Sequence, residues 1–216
     1  MKTIAVILSG CGVFDGSEIH EAVSTLLALD LAGAEYHCFA PNMSQTQVMN
    51  HLTRELKSET RNVLEEAARI ARGKIHDIKE ADVTAFDAAI YPGGMGAALN
   101  LSNFASKGAD MSVNPDVLHF AIAMKNAGKP QGFICIAPAM ISKIYGPGVD
   151  QTIGHDEATK SAIEKMGGKH IDCAVTGVVV DAQHKVVSTP AYMLANRIGE
   201  VFAGVSELVK AVLVMC

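Results

Sequence analysis

The stretch Pro130-Gln-Gly-Phe-Ile-Cys135-Ile-Ala-Pro138 decides the fold of this chain. A short apolar run ends at a cysteine, and small residues and a proline follow at once. This pattern is typical of a buried parallel strand that turns sharply into a helix. A strained turn of this kind, a nucleophile elbow, lifts its central side chain above the carboxyl edge of the sheet. The sequence therefore predicts a parallel α/β sheet with Cys135 at its edge.

Predicted strands and helices alternate on both sides of this stretch, which favours one open, mostly parallel sheet covered on both faces. We predict a single domain over residues 1–216. Apolar, β-branched runs predict strands at 2–10, 34–41, 74–78, 86–94 and 130–138, and a hairpin at 174–190. Helical periodicity and caps predict helices at 17–32 (capped by Ser17), 58–73, 115–128, 139–146, 156–168 and from about 192 onward. Segments 42–58 and 95–115 lack a period, and we interpret them as irregular excursions, the second covering the strand ends.

Composition excludes several classes of protein. The chain is 49% hydrophobic, has a net charge of −5 and contains only 5% aromatic residues without tryptophan. A nucleic-acid binder would carry a basic excess or stacking aromatics, and a membrane protein would carry about 18–20 consecutive apolar residues. The chain shows neither pattern.

The five cysteines form no CxxC pair, so neither a disulfide framework nor a zinc site is indicated, and the histidines show no metal-ligand spacing. Without an export signal, we expect a cytoplasmic location with reduced thiols.

Cys135 is the first candidate for chemistry. A helix N-terminus directly after the turn favours the thiolate form, although a buried structural cysteine remains an alternative. Glu18 begins the first helix at the same sheet edge and could transfer a proton, or it could be a plain helix-dipole partner. His155 could activate the thiol, but the sequence does not show that the two residues are close. The backbone N–H groups of Gly93 and Gly94 could stabilise an oxyanion, or form an ordinary turn.

A dinucleotide-binding site is disfavoured. The run Gly94-Met-Gly96-Ala-Ala-Leu99 resembles a glycine-rich fingerprint, but its third small residue is replaced by leucine. No acidic residue ends a second strand at the required distance. A nicotinamide enzyme is therefore not expected.

Three longer stretches resemble a known family. Residues 9–21 (SGCGVFDGSEIHE), 91–105 (YPGGMGAALNLSNFA) and 132–140 (GFICIAPAM) are similar to the ThiJ/PfpI superfamily of class I glutamine-amidotransferase-like proteins. The similarity covers nearly the whole chain. It is closest to the ElbB branch, also called sigma cross-reacting protein or isoprenoid-biosynthesis protein with amidotransferase-like domain.

The resemblance implies a flavodoxin-like three-layer α/β sandwich and assigns roles to the candidate residues. It places the nucleophile at Cys135, its carboxylate partner at Glu18, the pocket histidine at His155 and the oxyanion-hole amides at Gly94 and Ile136, with Gly93 shaping the turn. It also implies a glyoxalase that converts glyoxal to glycolate without cofactor or metal, with deglycase activity left open as the source of this turnover.

The sequence departs from the superfamily pattern at two places, and each departure disfavours one of the activities found in the superfamily. Ile136 stands where the peptidase members carry histidine, so a protease is disfavoured. The downstream His-x-Glu pair of true glutamine amidotransferases is absent, since the late segment is Ser188-Thr-Pro-Ala-Tyr192.

Alternatives to an enzyme remain at this stage. A reactive Cys135 would also suit a redox-stress sensor or a metabolite-binding protein, because a thiolate is readily oxidised. A partner-binding module for another enzyme is a third interpretation. The apolar helix faces indicate a further buried surface, and homodimers are common in the superfamily that the chain resembles. We therefore predict a homodimer.

Overall fold

Seven strands form one sheet in the computed structural model, which describes all residues from 1 to 216. Their spatial order is β3-β2-β1-β4-β5-β9-β8, and every pair is parallel except β8 with β9. Two further strands, β6 and β7, pair separately. The strands are β1 Thr3–Ile7, β2 Glu35–Ala40, β3 Ile75–Asp77, β4 Ala88–Tyr91, β5 Gln131–Ile134, β6 Asp150–Gln151, β7 Lys169–His170, β8 Val179–Asp181 and β9 Val186–Thr189.

Helices cover both faces of this sheet and bury a separate apolar cluster on each. One cluster holds the inward side chains of α1, α2 and α8, and the other holds those of α5 and α6. The central strands β1, β4 and β5 are almost entirely apolar because they are covered on both sides. The α/β sandwich is thereby confirmed. The helices are α1 Ile19–Leu31, α2 Val63–Ile70, α3 Met95–Leu99, α4 Phe104–Lys107, α5 Pro115–Asn126, α6 Ile141–Tyr145, α7 Glu157–Lys165 and α8 Ile198–Met215.

The topology fixes where a ligand can bind. After β1 the chain moves to β2 on one side, and it later returns to β4 on the other side of β1. In doubly wound sheets, the crevice opens at this reversal, outside the carboxyl ends of the strands. The loops after β1, β4, β5 and β9 therefore converge on one crevice.

Helix boundaries differ from the sequence-based prediction where side chains cap the backbone. The Ser17 hydroxyl accepts a hydrogen bond from the Ser9 N–H at 2.8 Å, so Ser17 ties two loops together instead of capping α1. Glu18 is the cap. The helix predicted at 58–73 is shorter in the structure, where α2 runs from Val63 to Ile70. It begins at Val63 because the Asn62 side chain caps it by accepting from two backbone N–H groups.

The C-terminal helix also begins later than predicted. Residues Ala191–Met193 form a single 3-10 turn, and α8 starts at Ile198. Glu200 accepts from the backbone N–H of Arg197 at 3.3 Å, which fixes this start. The turn brings Tyr192 to the crevice instead of placing it in a helix.

The two excursions have structure that the sequence did not indicate. The segment 95–115 contains the short helices α3 and α4 as well as the start of α5. The segment 42–58 packs against the loop after β1, where the Met49 N–H donates to the Asp15 carboxylate at 2.7 Å. The predicted hairpin is present as β8 and β9. None of the helices combines the length and apolarity needed to cross a bilayer.

Candidate active site

Cys135 lies immediately after β5, at the carboxyl edge of the sheet. Its N–H donates to the Thr189 carbonyl at 2.9 Å, which prolongs the pairing of β5 with β9 by one residue. The next residue leaves the sheet, and Cys135 takes a φ of +63°, a left-handed conformation that is strained for a non-glycine residue. The elbow predicted from the sequence is thus formed, and the residue is 8% exposed.

Two backbone N–H groups face the sulfur. They belong to Gly94, after β4, and Ile136, after Cys135, and both act to lower the pKa of the thiol. Neither N–H bonds to a carbonyl in the surrounding turns. These two donors can hold a negatively charged oxygen or sulfur, as an oxyanion hole requires.

The resting thiol is nevertheless protonated, which corrects the expectation of a thiolate. Burial and the neighbouring Glu21 raise the pKa of Cys135 well above the usual value. The structure after the elbow is one 3-10 turn, Ala137–Met140, followed by the five-residue α6. Such short elements carry little of the helix dipole that would favour the thiolate.

The carboxyl group beside the thiol belongs to Glu21, in the first turn of α1. The side chain is fully buried, and its Oε2 accepts from the Gly93 N–H at 3.0 Å. Its Oε1 accepts from the Tyr192 N–H at 3.2 Å. The carboxyl and the Cys135 thiol are neighbours, since a Cβ at Gly93 would lie within 3 Å of both residues, and each group shifts the pKa of the other. Burial raises the pKa of Glu21 to about 8, so the carboxyl is mostly protonated at neutral pH.

Glu18 therefore does not occupy the place that the sequence analysis gave it. Its carboxylate turns back onto α1 and accepts from the Glu21 N–H at 2.7 Å, and it makes no hydrogen bond to Cys135. Burial raises the pKa of this group as well. A signal for Glu21 was present in the sequence, because Glu21 falls at helical spacing on the same face as Ala22, Thr25, Ala28 and Leu29, all buried. A carboxylate on the apolar stripe of a helix is a stronger candidate than one at its cap.

Gly93 and Gly94, which follow β4, contribute to the site in different ways. The Gly93 N–H is occupied by Glu21, so only Gly94 and Ile136 can serve as oxyanion donors. A Cβ at Gly93 would lie 2.4 Å from the Cys135 Cβ and 2.6 Å from Glu21 Oε2. Gly94 has a φ of +92° and approaches the backbone of Glu18 closely. Only glycine allows the strand end, helix start and elbow to meet this tightly.

His155 lies in the loop between β6 and α7 and is exposed. It makes no hydrogen bond to Cys135 or Glu21, so its assignment remains a prediction. A different histidine stands at the crevice. The Nδ1 atom of His20 lies 2.7 Å from the Tyr192 hydroxyl and 4.0 Å from Glu18 Oε1. No cluster of three or more histidine, cysteine, aspartate or glutamate side chains could hold a metal ion.

Curated relatives resemble the chain over nearly its whole length, although no protein-family model matches it. The ES1 protein homolog, mitochondrial, of Rattus norvegicus is 44% identical and covers 97% of this chain and 82% of its own. The human glutamine amidotransferase-like class 1 domain-containing protein 3, mitochondrial, is 43% identical with the same coverage. The ES1 protein, mitochondrial, of Danio rerio is 34% identical and covers 98% and 85%.

Solved structures agree with this fold. An isoprenoid biosynthesis protein with amidotransferase-like domain from Ehrlichia chaffeensis superposes with a TM-score of 0.93 at 39% identity, covering 100% of this chain and 99% of its own. A DJ-1 superfamily protein from Salmonella typhimurium gives 0.58 at 23% identity, covering 99% and 91%. Glyoxalase III from Candida albicans gives 0.63 at 13% identity, covering 98% and 97%. The last two show the shared fold alone.

The names of the curated relatives contradict one sequence-based prediction. All three are named mitochondrial proteins, whereas the sequence analysis predicted a cytoplasmic location. That prediction rested on the absence of an export signal, which says nothing about targeting to an organelle. The cytoplasmic assignment is therefore withdrawn.

Proposed function

The chain belongs to the class I glutamine-amidotransferase-like proteins of the ThiJ/PfpI (DJ-1) superfamily, and from this premise we propose that it is a cofactor-independent glyoxalase. The substrate would be glyoxal, the product glycolate, and the covalent intermediate a hemithioacetal on Cys135. The observation that carries the proposal is the surroundings of the Cys135 thiol: the N–H groups of Gly94 and Ile136 and the carboxyl of Glu21 all act on its pKa, and a Cβ at Gly93 would lie within 3 Å of both Cys135 and Glu21.

The first step is the addition of the thiol to one aldehyde carbon. The sulfur of Cys135 forms the S–C bond, and the π electrons of the carbonyl move onto its oxygen. The N–H groups of Gly94 and Ile136 stabilise this oxyanion. The ionised form of Glu21 accepts the thiol proton and returns it to the oxyanion, which gives the neutral hemithioacetal. A resting thiolate is not required, because the base stands beside the thiol.

The second step is an internal redox exchange that needs no external oxidant. A proton leaves the carbon bonded to sulfur, and a proton is added to the neighbouring carbon, so the first carbon is oxidised to a thioester while the second is reduced to an alcohol. Water then cleaves the thioester, releasing glycolate and restoring the thiol. Glyoxal and one water give glycolic acid, and all atoms are accounted for.

The competing interpretation as a redox sensor is less well supported. Oxidation of a cysteine follows its thiolate fraction and its exposure to solvent. Burial and Glu21 raise the pKa of Cys135, and the residue is nearly inaccessible. Addition to a bound carbonyl fits this environment better than capture of peroxide from solution.

We also propose that the protein forms a homodimer through α1. Four apolar side chains at intervals of four residues are exposed along this helix: Ile19, Val23, Leu27 and Leu31. Two grooves, of about 710 and 470 Å³, flank the helix on its two sides. A ridge beside a groove can pair with its own copy about a two-fold axis, with each ridge entering the groove of the other subunit.

The decisive experiment for the enzymatic proposal is a comparison of cysteine variants. Cys135→Ala is expected to abolish glyoxal turnover, whereas Cys173→Ala, outside the site, is expected to retain it. Glycolate formation followed by NMR, together with trapping of a Cys135 adduct by mass spectrometry, gives the readout. Glyoxal turnover by Cys135→Ala at the wild-type rate would refute the proposal.

A further inference from the structure

A closed ring of contacts joins Glu18, Glu21, Tyr192 and His20, in the segments that follow β1 and β9 at the carboxyl edge of the sheet. Glu18 Oε2 accepts from the Glu21 N–H, and Glu21 Oε1 accepts from the Tyr192 N–H. The Tyr192 hydroxyl lies 2.7 Å from His20 Nδ1, and the same Nδ1 lies 4.0 Å from Glu18 Oε1. The ring therefore joins two elements, the first turn of α1 and the turn after β9, and it closes on the residue that touches the thiol.

The ring fixes the orientation of the imidazole. When the Tyr192 hydroxyl donates to Nδ1, the neutral ring of His20 carries its proton on Nε2. Nε2 makes no hydrogen bond within the protein, and the side chain is 50% exposed. His20 therefore offers an unoccupied ring nitrogen at the mouth of the crevice, beside solvent. The only charged or titratable groups among its contacts are Glu18 and Tyr192.

Glu21 alone cannot serve both carbons of a two-carbon substrate well. Its Oε2 and Oε1 already accept from the backbone N–H groups of Gly93 and Tyr192, and the carboxyl interacts with the neighbouring thiol. It is placed to exchange a proton with sulfur and with the oxygen formed in the first step. The second step requires a proton at the neighbouring carbon and oxygen, farther from the thiol. A second acid–base group is needed there.

We propose that His20, oriented by Tyr192, is the acid–base group that serves the second carbonyl of the substrate. This inference rests on the proposed function and assigns to His20 the proton transfer that the sequence analysis gave to His155. One oxygen binds the N–H groups of Gly94 and Ile136, and the adjacent oxygen accepts from His20 Nε2. Tyr192 acts as a positioning residue.

Point variants test this assignment. His20→Gln is expected to lower kcat for glyoxal roughly 100-fold, a typical effect of removing a general acid–base group, with a smaller change in KM. Tyr192→Phe removes only the hydroxyl and keeps the N–H bond to Glu21, so it should lower kcat less and in the same direction. His155→Gln tests the sequence-based assignment of the same step and should retain wild-type kcat if His20 performs it. His37→Gln is the matched control, because His37 is 44% exposed and pairs with Glu35; it should also retain wild-type kcat. Added imidazole should partly restore turnover to His20→Ala, which a merely structural histidine would not allow.

Solvent isotope labelling gives a second readout. A half-exposed imidazole exchanges its proton with water, so glycolate formed in D2O should carry one deuterium at the alcohol carbon. Glycolate that holds both hydrogens of the starting glyoxal on its alcohol carbon, with no deuterium, would overturn the assignment. Wild-type kcat in His20→Gln, or a large loss of kcat in His155→Gln, would also overturn it. A wild-type protein without Cys135-dependent turnover would instead refute the proposed function, and the inference with it.

Discussion

The carboxyl group of Glu21 faces the thiol of Cys135 although the two residues come from opposite parts of the chain, the first turn of α1 and the end of β5. Both groups are buried, and no lysine or arginine pairs with Glu21 to balance its charge. Burial raises both pKa values, so the pair carries two protons at rest. In the proposed reaction, the protonation of Glu21 therefore governs whether the thiol can be deprotonated.

The two glutamates are predicted to differ in their contribution to catalysis. Glu21→Gln should lower kcat/KM for glyoxal by at least about 100-fold, since it removes the base beside the thiol. Glu18→Gln should have a much smaller effect, because the Glu18 carboxylate bonds to the α1 backbone and not to Cys135. Steady-state kinetics on the two variants decide the matter. A larger loss in the Glu18 variant would restore the assignment made from sequence.

Alkylation of Cys135 should report the influence of Glu21 on the thiol. The rate of reaction with iodoacetamide follows the thiolate fraction, and the charge of Glu21 raises the pKa of Cys135. In Glu21→Gln the rate should therefore rise at a lower pH than in the wild type. Peptide mass spectrometry separates Cys135 from the half-exposed Cys11 and Cys173. If the pH at which the alkylation rate is half-maximal is unchanged or higher in Glu21→Gln, the charge of Glu21 does not act on the Cys135 thiol.

The stability of the fold should decline as pH rises through the titration of Glu21. The pKa of this group is about 8 in the folded protein, against 4.5 for an ordinary glutamate, so the folded state binds more protons between these values. The free energy of unfolding should therefore fall between about pH 5 and pH 8, relative to Glu21→Gln, by roughly 2–4 kcal/mol. Urea unfolding of both proteins across this range measures the difference. If the gap between the two proteins does not change with pH, Glu21 titrates normally.

The glycines after β4 should tolerate no side chain. Gly93→Ala and Gly94→Ala would each place a Cβ less than 3 Å from neighbouring atoms, so each should lose activity and at least about 2 kcal/mol of unfolding free energy. Gly199, inside α8 with open space around it, is the matched control. Gly199→Ala should instead stabilise the protein by roughly 0.5–1 kcal/mol through helix propensity. Thermal and urea unfolding distinguish these cases, and a stable, active Gly93→Ala would contradict the described site.

The proposed dimer predicts a defined response to charges on α1. Leu27 and Leu31 are 45% and 70% exposed, so Leu27→Glu and Leu31→Glu should leave the fold intact. Either variant should shift the wild-type dimer to a monomer, because a charge on each copy would be desolvated at the interface. Light scattering coupled to size-exclusion chromatography gives the mass. A wild-type monomer, or variants that remain dimeric, would exclude this interface.

The general architecture could be read from the sequence because it depends on local patterns. Apolar strands that end in glycine or cysteine, alternating with periodic helices, are sufficient to specify a parallel sheet, and its order then places Gly93, Gly94 and Cys135 at one edge. Helix boundaries were less accurate, since a single side chain such as Asn62 decides where α2 begins. Segment 95–115 was missed as a helical region because α3 and α4 are only five and four residues long.

The sequence by itself determined the fold class, the elbow and the cysteine that we propose as the nucleophile, because strand pattern, glycine positions and chain order are local or topological properties. Only the tertiary structure decided which carboxylate meets the thiol, which histidine stands at the crevice, and in which protonation state the pair rests. These depend on helix phase, on the turn that carries Tyr192, and on burial from water. Glu18 and Glu21 are only three residues apart on α1, yet the first caps the helix backbone and the second lies beside the sulfur of Cys135.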